Sequence, residues 1–338
     1  MKSIRCEKPL HFEMTERDAP IRQEGEALVR IRRIGICGTD LHAYKGDQPF
    51  FTYPRVLGHE LSGEIVEVGE NPQGREVGDE VVLVPYMQCG KCHACLRGKT
   101  NCCVSLELIG VHRDGGMCEY LSMPTTHLLR ARGLSLDEMA IVECLSIGAH
   151  AVRRANIQKG QKVLVVGAGP IGMGALQFAR IAGAETIVMD IDAKRLNYCE
   201  TTLGATHTID ARSEVKEQLA ELTDGDGPAV IFEATGNPAS MEACFEYVSH
   251  GGTYVLISLV KKDISFNDPE FHKREMTLMS SRNASLVDMK YVIEAIANKQ
   301  VETETFITHH TAFDRMIGEY DSWLKPETGV IKAMVELN

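Results

Sequence analysis

Residues 162–192, KVLVVGAGPIGMGALQFARIAGAETIVMDID, constrain this chain more than any other stretch. The apolar, largely β-branched run 163–166 suits a strand buried on both faces of a parallel sheet. Gly167-Ala168-Gly169-Pro170-Ile171-Gly172 follows, then a helix-like segment to about Ala182, then a second apolar run, 186–189, closed by Asp190. Each part has its own physical task. Gly167 permits the tight turn out of the strand, Gly169 lets a pyrophosphate approach the backbone, and Gly172 lets the helix pack on the strand. The helix that opens at Pro170 and Ile171 offers the free N–H groups of its first turn, from Ile171 onward, and the positive end of a dipole to phosphate. Asp190 can accept both hydroxyls of an adenosine ribose and would repel a 2′-phosphate, so the pattern reads as NAD rather than NADP.

A lone Gly-x-Gly-x-x-Gly says little, because glycine-rich turns are common. This one follows a strand, opens a helix and stands about 20 residues ahead of an acid, which is the context dinucleotide binding requires. A ligand-free βαβ turn is the bland alternative. A membrane span is the other, since residues 163–179 carry no charge, but four glycines and a proline interrupt a run already short for a bilayer.

With 338 residues the chain is long enough for two cores, and 44% hydrophobic with 25% charged residues is ordinary for a globular protein. Its formal net charge of −11 argues against a polyanionic partner, because nucleic-acid affinity rests on clustered Lys and Arg. The N-terminal MKSIRCEKPLHFEM lacks the apolar core of a signal peptide, so the cytoplasm is the expected compartment. From Lys2 to about Tyr120 the pattern is short strands and turns with little helical periodicity. In residues 27–34, Val29 and Ile31 alternate with Arg30 and Arg32; 63–69 and 78–84 are similar apolar runs bounded by turn residues. This predicts an all-β barrel. From about Ile141 helices alternate with strands near 206–209, 229–233, 253–257 and 276–279, which predicts a six-stranded doubly wound sheet. Helices at 286–298 and 313–324 and a strand at 330–336 close the chain.

Of 11 cysteines, Cys89, Cys92, Cys95 and Cys103 are regularly spaced on one short lobe. Four thiolates close a tetrahedral shell around zinc with no open position, as a structural site requires. Gly90, Lys91, Gly98 and Lys99 surround them, so nothing apolar is at hand to bury four unrelated thiols. An RNA-binding zinc knuckle is the rival reading, but stacking aromatics are missing from the lobe. Cys102 reads as a bystander. A second, dispersed set comprises Cys37 in Gly35-Ile36-Cys37-Gly38-Thr39-Asp40, His59 and Glu60 after Gly58, and Glu143. Singly each is weak, and together with the lobe and the dinucleotide fingerprint they gain weight.

With Gly58-His59-Glu60, Gly78-Asp79-Glu80-Val81, the four-cysteine lobe and the glycine fingerprint in one chain, the sequence resembles the zinc-dependent medium-chain dehydrogenases over essentially its full length. That resemblance implies a GroES-like catalytic domain over residues 1–146, a Rossmann NAD-binding domain over 147–281, and a C-terminal return, 282–338, completing the catalytic domain. It also implies two zincs per chain, one structural and one catalytic on Cys37, His59, Glu143 and either Glu60 or water. Glu143-Cys144-Leu145-Ser146 is similar to the Glu-Pro-Leu-Ser of the sorbitol dehydrogenase branch, where simple alcohol dehydrogenases place a cysteine. Cys144 replaces the proline, which leaves Glu143 and Cys144 both as candidates, with Glu143 in the branch's register. Residues 48–58, 109–116, 268–273 and 281–284 are similar to the L-galactonate 5-dehydrogenase group.

The family's chemistry then carries over as expectation: an alcohol oxygen on zinc is polarised to its alkoxide, and hydride passes to C4 of the nicotinamide. Thr39 and His42 match the relay that takes the proton to solvent, although His42 also reads as a solvated loop histidine. Arg195 is expected near the cofactor, and Arg282 beside cofactor phosphate or a substrate carboxylate. The expected partner is a small sugar acid or polyol, with neither nucleic acid nor membrane involved. Alternatives are a sorbitol-, L-idonate- or threonine-type dehydrogenase, or a non-catalytic regulatory relative. A homodimer or homotetramer is expected, paired along the sheet edge near 253–257 and 276.

Overall fold

The computed structural model describes residues 1–47 and 51–338; Gln48, Pro49 and Phe50, which open the stretch 48–58, lie outside the described residues. The chain divides into two compact units. One comprises Met1–Glu143, Ser285–Lys299 and Thr303–Asn338, the other Cys144–Ala284 and Gln300–Glu302.

The second unit is built on six parallel strands in the spatial order His207–Asp210, Glu185–Asp190, Lys162–Val166, Val230–Glu233, Thr253–Leu256 and Thr277–Ser280. The β-branched run Val163 to Val166 occupies the centre, bonded on both sides and buried throughout, which is why its sequence shows no alternation. Strand order reverses beside it, and in such sheets ligands bind at the carboxyl ends around that switch point. Helices Pro170–Ile181, Ala193–Thr201, Val215–Leu222 and Pro238–Ala243 fall between the strands. Leu164, Ile187, Ile209, Ile231 and Tyr254 form part of the core under them. The two edge strands are His207–Asp210 and Thr277–Ser280, the latter largely exposed; Thr253–Leu256 is hydrogen-bonded on both sides and offers no edge.

The first unit is organised by one strand, Glu26–Gly35, which pairs antiparallel with Glu60–Val68, Tyr120–Pro124 and Lys332–Glu336. Val29 and Ile31 point into the core with Ile65 and Val335, as their alternation predicts. Register shifts between Leu28 and Val29 and between Ile31 and Arg33 re-aim the end of the strand, so that Ile34 and Gly35 are both buried. Three neighbouring strand ends thereby bring residues around positions 35, 60 and 332 together.

Two α-helices depart from the all-strand expectation for residues 2–120: the four-residue His93–Leu96 in the cysteine lobe and a longer one, Gly38–Lys45. The longer helix follows Cys37 directly. At eight residues with no apolar stripe it has no periodicity to reveal it; its start is set locally, Asp40 Oδ2 accepting the Cys37 N–H at 3.0 Å. Its orientation is fixed by Tyr44, stacked on Phe12 and edge-on to Tyr320, with ring centroids 4.7 and 4.9 Å apart. Among the described residues no helix is long and apolar enough to cross a membrane.

Candidate metal centres and dinucleotide site

Among the described residues two groups of side chains place metal-ligating atoms within 4.8 Å of one another: Cys89, Cys92, Cys95 and Cys103, and Cys37, His59 and Glu60. In the first, the Cys92 and Cys95 sulfurs are 3.5 Å apart, far beyond the ~2.05 Å of a disulfide. A tetrahedron with Zn–S bonds of about 2.3 Å has sulfur–sulfur edges of about 3.8 Å, so the four thiols already span the right shell. Backbone N–H groups of Lys91 and Cys92 pull the Cys89 thiol down to about 6, while burial and neighbouring thiols push Cys95 up to about 12. Four sulfurs this close cannot all ionise without a cation to neutralise them, and zinc fits that demand.

In the second group His59 and Glu60 are buried and Cys37 is half-buried. Cys37 precedes the short helix, His59 and Glu60 enter the strand Glu60–Val68, and Asp40 ties the two segments together. Its Oδ2 holds the Cys37 N–H and its Oδ1 accepts the Gly58 N–H at 3.2 Å. His59 Nδ1 lies 3.5 Å from Asp40 Oδ1 and completes no hydrogen bond. Burial opposes charge on His59, yet Asp40 and Cys37 outweigh it and raise its pKa well above the imidazole range. A pocket this rich in anionic donors accommodates a divalent cation. The soft thiolate, imidazole and carboxylate mixture is one that zinc accepts.

Glu143 is also buried, but its carboxylate accepts the hydroxyl of buried Tyr86 and stands outside the 4.8 Å group. Burial pushes its carboxyl up, with the Glu60 charge adding to that and His59 opposing it. Cys144 is buried as well. Thr39 is half-buried and His42 exposed, both on the helix Gly38–Lys45 rather than on a loop.

In the second unit, Gly167 turns the chain at φ 99° and Gly169 caps the helix Pro170–Ile181, with Pro170 in its first turn. A Cβ on Gly169 would meet nothing within 4 Å, leaving the backbone there open to a phosphate. Asp190 Oδ2 accepts the Ala168 N–H at 2.5 Å and Oδ1 the Asp192 N–H at 2.8 Å, which holds the carboxylate against the glycine turn. Asp192 caps the next helix through Lys194 and Arg195 N–H groups, so Arg195 sits in the first turn beside the acid. Arg282 is exposed, just beyond the edge strand Thr277–Ser280. This open turn with its acid fits NAD. Sequence reasoning passed over Asp40, Tyr86 and Lys332; only Asp40 lay inside a motif already quoted, and the other two reach the site through tertiary pairing alone.

Two family models match the chain: an alcohol dehydrogenase GroES-like domain over residues 23–133 and a zinc-binding dehydrogenase over residues 170–298. The chain is 40% identical over 335 residues to the L-galactonate-5-dehydrogenase of Escherichia coli (strain K12), covering 99% of this chain and 98% of that protein. It is 32% identical over 318 residues to a sorbitol dehydrogenase of Halalkalibacterium halodurans, covering 92% and 91%. The crystal structure of a short chain alcohol dehydrogenase (rspB) from E. coli CFT073, complexed with NADH, matches with a TM-score of 0.93 at 29% identity, over 100% of this chain and 99% of that one.

Proposed function

The chain belongs to the zinc-binding alcohol dehydrogenase family, with GroES-like and Rossmann domains, and we propose that it oxidises a secondary hydroxyl of a sugar acid to the ketone with NAD. The observation that carries this reading is a cluster of half-buried Cys37 with buried His59 and Glu60 in a chain 40% identical, over 99% of its length, to an L-galactonate-5-dehydrogenase. In this reading Cys37, His59 and Glu143 hold the catalytic zinc with Glu60 beside it, and Cys89, Cys92, Cys95 and Cys103 hold the structural one. Zinc there supplies Lewis-acid polarisation of the hydroxyl, of the kind that lowers the pKa of water from ~16 to ~7, and NAD supplies the hydride acceptor.

The chain's own residues do the rest. Thr39 Oγ1 accepts the substrate proton and His42 hands it to solvent; three residues apart on one helix, they are neighbours on its surface. Gly167, Gly169, Pro170, Ile171 and Gly172 receive the pyrophosphate and Asp190 the ribose hydroxyls. Arg195 lies near the ribose side of the cofactor. Arg282 grips either cofactor phosphate or the substrate carboxylate, the latter in bidentate fashion. The sheet edge Thr277–Ser280 pairs with a second copy in a homodimer or homotetramer. A reducing, cytoplasmic setting agrees with 11 cysteines, none of them disulfide-bonded.

The deciding experiment is a substrate panel of L-galactonate, other hexonates, sorbitol and xylitol, followed at the NADH absorbance. A hexonate is expected to give the highest kcat/KM, and NAD to surpass NADP at least about tenfold, ~1.4 kcal/mol. Faster turnover of sorbitol or xylitol than of every hexonate would overturn the acid substrate. Equal use of NADP would remove the role given to Asp190. In the same assay Arg282→Gln separates its two tasks: a loss confined to hexonates marks the carboxylate clamp, a rise in KM for NAD the cofactor contact.

Glu143→Ala is expected to lose catalytic zinc or reduce turnover at least about a hundredfold, while Cys144→Ala keeps most of both. Metal analysis and kcat/KM on the two purified variants check this. The reverse outcome would make Cys144 the ligand.

A further inference from the structure

Lys332 opens the strand Lys332–Glu336, 1% exposed, in a position where a lysine is rarely buried without a reason. Its Nζ donates to both oxygens of Glu60 at 2.7 Å and to the Ile36 carbonyl at 3.1 Å. Three donors meet three acceptors, so the ammonium is satisfied in a fixed orientation. Glu60 is fully buried and belongs to the Cys37 and His59 group. Its Oε2 lies where a side chain on Gly35 would be, 2.3 Å from the place a Cβ would take, with Gly35 and Glu60 directly paired across the strands. The carboxylate is thus packed over bare backbone on one side and gripped by a cation on the other. Glu143 is treated differently, held by a neutral phenol.

The charges make the difference matter. A thiolate at Cys37 and carboxylates at Glu60 and Glu143 are three anions around a divalent ion, and Lys332 brings that sum to zero. A carboxylate bound through both oxygens to an ammonium is a weaker donor to a metal than a free one. We infer that Lys332 is a positioning residue for the catalytic metal centre: by gripping Glu60 through both oxygens it keeps that carboxylate from closing the metal's shell and preserves the open position for substrate. The inference rests on the reading of Cys37 and His59 as ligands given above.

The test uses the zinc protein and its cobalt-substituted form. Lys332→Met is expected to release Glu60 onto the metal. Its zinc release to a chelator should slow about tenfold or more, its cobalt d–d bands should shift, and kcat should fall about 10–100-fold. Lys332→Arg, which can also grip both oxygens, should keep the parent spectrum. Adding Lys332→Met to Glu60→Gln should change neither spectrum nor release rate, because the route through Glu60 is already cut; that comparison decides the matter if Lys332→Met alone does not fold. Faster zinc release in Lys332→Met, an unshifted cobalt spectrum, or divergence of the double variant from Glu60→Gln would overturn the inference. Retention of catalytic zinc by Cys37→Ser would instead count against the ligand assignment itself.

Discussion

Cys92→Ala is expected to release one of two zincs per chain and to lower stability by at least about 3 kcal/mol, or roughly 6–12 °C in the melting of the unit that carries it. The size of the effect follows from what the lobe lacks. Its helix, His93–Leu96, buries none of its residues, and Leu96 and Val104 are 74% and 84% exposed. Apart from Asn101 and Cys103 the segment is exposed or half-buried, so on the proposed reading closure around a cation fixes the chain between Cys89 and Cys103. Removing one of four sulfurs opens the shell and leaves three close thiols with no neutralising charge at full strength. Cys102→Ala is the control: that thiol is exposed, and its loss should leave zinc content and melting unchanged. Calorimetry with metal analysis on both variants reads the result. A Cys92→Ala protein with two zincs and an unchanged melt would show that the four thiols do not form a metal site.

How much of this was legible in the sequence differs from element to element, for physical reasons. The six-stranded sheet was readable because a parallel strand buried on both faces leaves an uninterrupted apolar run, as in Val163 to Val166, and because glycine, proline and an acid mark the turn that follows. The clustering of the four cysteines was readable because they are close in sequence and regularly spaced. The group at Cys37, His59 and Glu60 was harder. Cys37 follows one strand end while His59 and Glu60 stand at another, and the pairing of Gly35 with Glu60 and the two hydrogen bonds to Asp40 bring them together. Lys332 was invisible for the same reason: before the pairing is known, a lysine ahead of an apolar strand reads as a solvated end. Tyr86 was equally silent, since its role lies in a hydrogen bond to Glu143, 57 residues away. The helix after Cys37 escaped because a short segment oriented by the Tyr44 ring and capped by one aspartate carries no periodic signal. Local chemistry could be read from sequence, whereas chemistry assembled by strand pairing needed the fold.

Gly172→Ala and Gly169→Ala are expected to fail in different ways, although both alter one glycine of the same fingerprint. A Cβ on Gly172 would lie 1.8 Å from the Gly167 carbonyl oxygen and 3.4 Å from Val165 Cγ1. The obstacle is backbone, so no rotamer change relieves it. The helix Pro170–Ile181 must move off the central strand, and the turn that presents its N–H groups must deform with it. Gly172→Ala should therefore lower the stability of the Rossmann unit by about 2 kcal/mol or more and weaken NAD binding at least about a hundredfold. Gly169 is the opposite case. Its φ of −83° and ψ of 176° suit alanine, and a Cβ there meets no atom within 4 Å. Gly169→Ala should fold with unchanged stability, yet place a methyl group where the pyrophosphate approaches, weakening NAD by about tenfold or more. NADH titration followed by fluorescence, alongside thermal melts, separates the two, and zinc content should remain that of the parent in both. Parent-like NADH affinity in Gly169→Ala would mean that the pyrophosphate does not pass over this turn, and the dinucleotide assignment would then rest on Asp190 alone.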